Sequence, residues 1–196
     1  MPLILASASP RRRELLEKVG IAFTVVPATI EEPPLEEDEL PEKYVQRVAT
    51  EKGFSVYDKV SRKKYSTNLV VLAADTAVLF KDLLYGKPLD RDDAKNMLEN
   101  LSGKTHTVLT GLHFRTPTFM TSSVVKTKVR LRKLNMIELE RYLNTSEYED
   151  KAGGYAIQGP YGQTLVDKVE GSFTNVIGLP VTEVMKMLRV LGPDMI

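Results

Sequence analysis

The apolar run Leu69-Val70-Val71-Leu72-Ala73-Ala74 constrains the fold more than any other segment. Because no polar residue alternates with the apolar ones, both faces of the predicted strand should be buried. We expect the strand to end at Asp75-Thr76. Ligands of α/β sheets collect at the carboxyl ends of strands, so this position makes Asp75 a candidate site residue.

Further strands and helices alternate along the chain, which indicates an α/β protein. The patterns predict strands at 3–6, 23–26, 105–114 and 123–131, and a hairpin around 81–82. They predict helices over 10–19, around 44–49, over 91–102, 136–143 and 180–191. We expect a loop at 31–40, an exposed polar segment at 61–68, and a glycine-rich stretch with short strand-like pieces at 153–178.

Composition narrows the chemistry. The 196 residues suit one domain, and a formal net charge of +1 gives no indication of nucleic-acid or membrane binding. The absence of cysteine excludes disulfides, thiolate nucleophiles and cysteine-bound zinc, and two histidines are too few for a histidine-rich metal site. A metal ion would be held by carboxylates and substrate, which suits Mg²⁺. We find no signal peptide and no segment long enough to span a bilayer.

The turn Ser7-Ala8-Ser9-Pro10-Arg11-Arg12-Arg13 is an electrostatic anomaly. Ser9 is a good N-cap and Pro10 suits the first helical position, but arginine is the wrong charge beside the positive end of the helix dipole. A bound phosphate would reverse this mismatch, since backbone N–H groups and guanidinium groups converge on it. The residues alone leave a second interpretation open, in which the turn is solvated and some arginines pair with the acidic loop 31–39.

Two charged residues allow a functional and an ordinary interpretation. Lys52 continues the apolar stripe of Val45 and Val48, so it either extends to solvent, which its position favours, or points into a cleft. Asp75 holds Mg²⁺ or orients a water molecule, or it caps the next turn.

Two turns allow the same choice. Lys87 follows Gly86, where an exposed lysine is usual but a ligand can approach closely. Gln158 lies among small residues of the segment 150–159, and its amide either reads a base edge or bonds within its own loop.

The order of these motifs is more specific than any one of them. A strand followed by S-x-S-P-R-R, E-K, A-A-D-T, G-K-P, L-S-G-x-T-H, K-A-G-x-Y-x-I-Q-G and G-L-P resembles the Maf family of nucleoside triphosphate pyrophosphatases, from Leu3 to about Leu191. The resemblance implies one two-lobed domain over residues 1–196. Its fold would be a mixed sheet flanked by helices, similar to that of inosine triphosphate pyrophosphatases, with a cleft between the lobes.

The resemblance also implies an activity. Members cleave the α–β phosphoanhydride of a nucleoside triphosphate with a divalent metal, Mg²⁺ or alternatively Mn²⁺, and release pyrophosphate. Such an enzyme would be a cytoplasmic homodimer that removes unwanted, for example modified, pyrimidine nucleotides. Small departures from the family pattern at 154–156, 80–85 and 36–39 remove no proposed site residue.

Residue roles follow from the matched motifs. The resemblance implies catalytic roles for four residues: Asp75, Lys52, Lys87 and Glu32. It makes Asp75 and Glu32 the metal-binding carboxylates, without deciding which acts as base. It implies substrate binding by five residues: Ser7, Arg11, Arg12, Thr76 and Gln158. Among these, Arg11, Thr76 and Gln158 match the branch that acts on dTTP and UTP.

Two alternatives have no hydrolytic activity. The first is a nucleotide-binding regulator that does not turn its ligand over. The second is a nucleic-acid binder that uses the basic face of the strand at 126–132, where lysine and arginine alternate with inward residues. A solvated outer strand face is the simpler interpretation of those cations.

Overall fold

The computed structural model describes residues 1–62 and 69–192. Residues 63–68 of the segment expected to be polar and exposed therefore lie outside the described residues. Within the described residues the chain forms one seven-stranded mixed sheet with helices, as the sequence predicts.

The strands follow the order β2-β1-β3-β5-β6-β7, and β4 pairs with β3. Their bounds are β1 Leu3–Leu5, β2 Phe23–Val25, β3 Val70–Phe80, β4 Leu83–Tyr85, β5 Thr105–Arg115, β6 Met120–Leu131 and β7 Val166–Glu170. β1 is parallel to both β2 and β3, whereas the β3–β4 and β6–β7 pairs are antiparallel. The sheet is therefore mixed.

Most helices lie close to their predicted positions, but the helix predicted around 44–49 extends well beyond that range and ends at Ser61. Their bounds are α1 Pro10–Lys18, α2 Pro41–Ser61, α3 Arg91–Leu101, α4 Met136–Leu143, α5 Phe173–Ile177 and α6 Val181–Leu191. Asp90 caps α3 by accepting a hydrogen bond from the Asp93 N–H at 2.8 Å. The sequence did not predict the five-residue helix α5, which lies in the glycine-rich stretch. In the described part of the chain, no helix is both long enough and apolar enough to cross a membrane.

The strand predicted to end at Asp75-Thr76 is longer than expected. β3 continues to Phe80 because the next residues are again apolar, and Ala77, Val78 and Phe80 are buried. Its neighbour β1 ends at Leu5, opposite Leu72. Asp75 thus lies within a strand but beyond the carboxyl end of the adjacent parallel strand.

The described chain divides into two compact units. Of the described residues, the first comprises 1–62, 69–75, Thr110–Val125 and 178–192, and the second comprises Thr76–Leu109 and Lys126–Ile177. The first unit buries an apolar cluster of Ala6, Val56, Leu69, Val71 and Ala73. The larger cluster of the second unit includes residues of α3, α4, β5 and β6. A single domain over 1–196 stays a prediction.

Candidate active site

Lys52 lies on the buried side of α2, where its side chain is only 13% exposed. Its Nζ contacts Asp75 Oδ1 at 2.6 Å and Glu32 Oε1 at 2.7 Å. The expectation that Lys52 extends to solvent is therefore wrong. A buried ammonium loses its hydration, and two carboxylates supply the compensating charge and hydrogen bonds.

The two carboxylates differ in their surroundings. Asp75 lies within the buried strand β3 and its side chain is 10% exposed, so the interpretation of Asp75 as a turn cap is wrong. Glu32 comes from the loop before α2 and is 52% exposed. Tyr44 of α2 steadies that loop by donating its hydroxyl to the Pro33 carbonyl at 3.0 Å. Burial raises the pKa of Tyr44, and the negative charges of Asp75 and Glu32 act in the same direction.

Arg12 occupies the centre of a second hydrogen-bond network. Its Nε donates to the Gly178 carbonyl at 2.7 Å, and its Nη1 donates to the Ala74 carbonyl at 2.7 Å and to Ser7 Oγ at 3.1 Å. Burial lowers the pKa of Arg12, while the charge of Asp75 opposes that effect. The guanidinium thus ties the start of α1 to β3 and to the turn before α6.

Ser7 contributes to the same turn. Its side chain is buried, and its Oγ accepts the Ser9 N–H at 3.2 Å. Ser9 holds the predicted N-cap position of α1, but its own side chain makes no capping hydrogen bond within the described chain. Ser7 and Arg12 therefore order the turn that the sequence offers as a candidate phosphate site.

Glu39 of the acidic loop pairs with helix α2. Glu39 accepts from Arg47 Nη2 at 2.7 Å, and this hydrogen bond lowers the pKa of Glu39. Arg13 instead pairs with Glu17 on the surface of α1 at 2.8 Å. Arg11 is half-buried, and its charge contributes to lowering the pKa of Arg12.

Three predicted site residues belong to the second unit. Thr76 follows Asp75 on β3 and is half-buried. Lys87 is 59% exposed, and its Nζ lies 3.8 Å from Asp150 Oδ1. Gln158 is exposed. The structure thus brings Ser7, Arg12, Glu32, Lys52 and Asp75 together within the first unit. The participation of the other three in the same site stays a prediction.

The turn of Lys87 and the loop of Gln158 are joined within the second unit. The Gly153 N–H donates to the Gly86 carbonyl at 3.0 Å. Gly153 has φ of +72°, and a Cβ there would lie 2.9 Å from the Val78 side chain, so glycine is required twice over. A shift of one segment would therefore be transmitted to the other.

The Gln158 loop has buried supports that sequence reasoning missed. His106 Nε2 lies 2.7 Å from the Tyr155 hydroxyl, and the Ala156 N–H donates to the Tyr142 hydroxyl at 3.0 Å. Burial lowers the pKa of His106 to about 4, so its ring is neutral at pH 7. His106 lies in the motif L-S-G-x-T-H and Tyr155 in K-A-G-x-Y-x-I-Q-G. Their presence in these motifs was the signal that could have indicated a supporting role for both residues.

Comparison with protein families identifies the class to which this fold and site belong. The family model described as Maf-like protein matches residues 2–191, and the chain belongs to that family. The family resemblance stated from the sequence is confirmed.

Individual relatives match over nearly their full length. A protein of Latilactobacillus sakei subsp. sakei (strain 23K) named dTTP/UTP pyrophosphatase is 48% identical, and the match covers 95% of this chain and 98% of the relative. A protein of the same name from Thermoanaerobacter sp. (strain X514) is 42% identical, with 96% of each chain covered. Among solved structures, the Staphylococcus aureus Ham1 protein is similar with a TM-score of 0.43 and 12% identity, over 85% of this chain and 80% of that one.

Proposed function

We propose that this protein hydrolyses nucleoside triphosphates, dTTP and UTP foremost, to the monophosphate and pyrophosphate. The observation that carries the proposal is the buried Lys52 ammonium between the carboxylates of Asp75 and Glu32. Relatives named dTTP/UTP pyrophosphatase, similar over nearly the whole chain, support it. Removal of modified pyrimidine nucleotides is the physiological role we attach to this activity.

The chemistry requires charge neutralisation and placement more than covalent participation. A triphosphate carries about four negative charges near neutral pH, so several cations must face it. Arg12 and Lys52 supply positive charge beside Asp75, and we assign Lys87 to the leaving pyrophosphate. Attack on the α-phosphorus needs an in-line water molecule, which Asp75 orients and deprotonates.

A divalent metal fits the donor set. Among the described residues, no three or more histidine, aspartate or glutamate side chains cluster to form an all-protein metal cage. Mg²⁺ usually binds through one or two carboxylates plus substrate phosphates, and Asp75 and Glu32 meet that requirement. The bound ion, Mg²⁺ or Mn²⁺, would supply charge stabilisation to the phosphoryl oxygens.

Substrate choice is assigned to Arg11, Thr76 and Gln158. A glutamine amide carries both donors and an acceptor, which lets it read the edge of a pyrimidine base. Exposure of Gln158 leaves its amide accessible to a ligand. We further propose that the enzyme acts as a cytoplasmic homodimer, and sedimentation analysis tests the dimer.

A screen of nucleoside triphosphates with Mg²⁺ tests the proposal by pyrophosphate release. We expect strong turnover of dTTP and UTP, and a fall in kcat of about 10²–10⁴-fold in Asp75→Asn, since loss of a general base costs that much. The variant is isosteric, so circular dichroism should report an unchanged fold. Wild-type turnover in Asp75→Asn would contradict the assignment of Asp75. Activity restricted to a purine nucleotide such as 7-methyl-GTP would contradict the pyrimidine assignment.

The nucleic-acid alternative is disfavoured by the neighbouring strand. β7 places acidic residues beside the basic face of β6, and Arg130 pairs with Asp167 at 3.3 Å. Glu170 lies opposite Lys128 in the register. These carboxylates reduce the positive potential that phosphate-backbone binding needs. Titration with short oligonucleotides at two salt concentrations should show no salt-sensitive binding.

A further inference from the structure

Helix α2, which carries Lys52, lies unusually close to β5. Gly111, His113 and Arg115 alternate along β5 and therefore share one face. A Cβ on Gly111 would overlap the Val45 carbonyl of α2. His113 lies two positions after Gly111 on β5, and its ring would overlap a Cβ on Gly53 of α2. Only glycines on the two elements permit this separation.

Arg115 makes the third contact between this face of β5 and α2. The Arg115 guanidinium carbon lies 4.0 Å from the Phe54 ring centroid and 4.3 Å from that of Tyr57. Such cation–π pairs are favourable and are strengthened by burial. Three successive positions on the same face of β5 therefore fix α2 along its length.

The His113 ring is held on several sides. Its Nδ1 lies 2.7 Å from Ser122 Oγ, which lies 3.0 Å from Thr50 Oγ1. Thr50 in turn donates to the Gln46 carbonyl at 2.7 Å, within α2. The ring also stacks on Phe54 with centroids 5.6 Å apart. His113 therefore cannot move aside cheaply when its neighbour on α2 changes.

Lys52 and Gly53 are consecutive residues of α2, so their side-chain directions differ by about 100° around the helix axis. The Gly53 direction meets β5, while the Lys52 side chain reaches Asp75 on β3. Any displacement or rotation of α2 at Gly53 would therefore move the Lys52 ammonium relative to Asp75. We propose that His113 and Gly53 are positioning residues whose close contact sets the Lys52 ammonium between Glu32 and Asp75.

This inference rests on the proposed function and predicts a specific kinetic defect. Gly53→Ala should lower kcat for dTTP by about 10–100-fold, since misplacement by about 1 Å can cost 10²-fold, while KM stays within about threefold. The double variant Gly53→Ala with His113→Ala makes room for the new methyl group. It should recover at least about threefold of the lost kcat yet remain below wild type, because the ring that holds α2 is gone.

Two further variants keep the test decisive. Ser122→Ala releases the His113 ring without adding volume and should lower kcat about three- to tenfold. Leu188→Ala creates a cavity under α6 and is the matched control, because Leu188 is fully buried but is on a different helix from Lys52. It should lower Tm yet leave kcat unchanged below Tm.

Several outcomes would overturn the positioning role. These are a folded Gly53→Ala with wild-type kcat, a double variant with no recovery, and a Leu188→Ala control with an equal loss of kcat. If Gly53→Ala fails to fold, an unchanged kcat in Ser122→Ala overturns it. A crystal structure of Gly53→Ala with Lys52 still on both carboxylates does so independently of activity. Absence of pyrophosphate release by the wild type contradicts the proposed function instead.

Discussion

Lys52 and Lys87 have the same proposed task, to hold the triphosphate, yet their surroundings are opposite. Lys52 is 13% exposed and contacts two carboxylates at 2.6 and 2.7 Å. Lys87 is 59% exposed, and its partner Asp150 lies 3.8 Å away and is itself 80% exposed. One lysine is on the first compact unit and the other on the second.

The difference suggests two roles: the buried lysine orients Asp75, and the exposed lysine attracts the phosphates of the substrate. Lys52 has already lost its hydration and its freedom of rotation, so it can orient Asp75 before substrate arrives. Lys87 is hydrated and its ion pair contributes little, so it can turn toward a phosphate at small cost. We therefore expect the buried lysine to govern kcat and the exposed lysine to govern KM.

The largest effect should come from Lys52→Met, which keeps the aliphatic stem but removes the charge. We expect kcat to fall by about 10²–10³-fold, because Asp75 and Glu32 lose the group that places them. The free energy of unfolding should also fall, by about 3 kcal/mol, since the buried Asp75 carboxylate is left without its ammonium partner. Steady-state pyrophosphate release and urea unfolding measure the two effects. A kcat within threefold of wild type would show that Lys52 is only a structural ion pair.

A smaller effect is expected for Lys87→Met. KM for dTTP should rise about tenfold, which corresponds to about 1.4 kcal/mol, with kcat within about threefold. The free energy of unfolding should change by less than about 0.5 kcal/mol, because the side chain is exposed. In the wild type, KM should rise with ionic strength, and this dependence should weaken in the variant. A fall in kcat with unchanged KM would reverse our assignment of the two lysines.

The third comparison concerns stability rather than catalysis, and it involves one buried histidine in each unit. Burial lowers the pKa of His106 and of His113 to about 4, and the Arg115 charge adds to the effect at His113. In the unfolded chain each histidine has a pKa of about 6.5, so it takes up a proton more readily there than in the fold. The contribution of each buried neutral ring to stability is therefore complete only above about pH 6.5. That stability is lost as the pH falls from about 6.5 to 4, at about 1.4 kcal/mol per histidine per pH unit.

Urea unfolding at several pH values between 4 and 7 measures this slope. The variants His106→Asn and His113→Asn separate the contribution of each unit, and each should reduce the slope. Carboxylates with lowered pKa values, such as Glu39 and Glu138, add a slope of the same sign and serve as the common background. An unchanged slope in both variants would mean that neither ring resists protonation in the folded state.

The sequence predicts the elements of this fold well where one local pattern decides them. Met136–Leu143 has a helical pattern and a capping box, and its helix has the predicted bounds. The sequence predicts too early an end for β3, because one aspartate among apolar residues resembles a strand terminus. The short helix α5 has too few residues for its periodicity to be recognised.

The site is less predictable for a physical reason. Lys52 on an apolar stripe is ambiguous until its partners are known, and those partners lie 20 and 23 residues away in the sequence. Arg12 binds the backbone carbonyls of Ala74 and Gly178, and because every residue has a backbone carbonyl, the sequence does not reveal these partners. The contact of Gly53 with His113 depends on a separation between a helix and a strand, which no spacing within the sequence encodes.

The position of Asp75 within β3 has a consequence for how such proteins change over generations. A carboxylate on an extended core strand cannot be moved by inserting or deleting a residue, since a one-residue slip would turn every side chain of the strand to the opposite face. Lys87 and Gln158, by contrast, are exposed residues outside the strands, where replacement costs the fold little. Under the proposed roles, selection can therefore alter which nucleotide is accepted by exchanging an exposed residue such as Gln158, while the aspartate proposed to act on the phosphate is inherited unchanged.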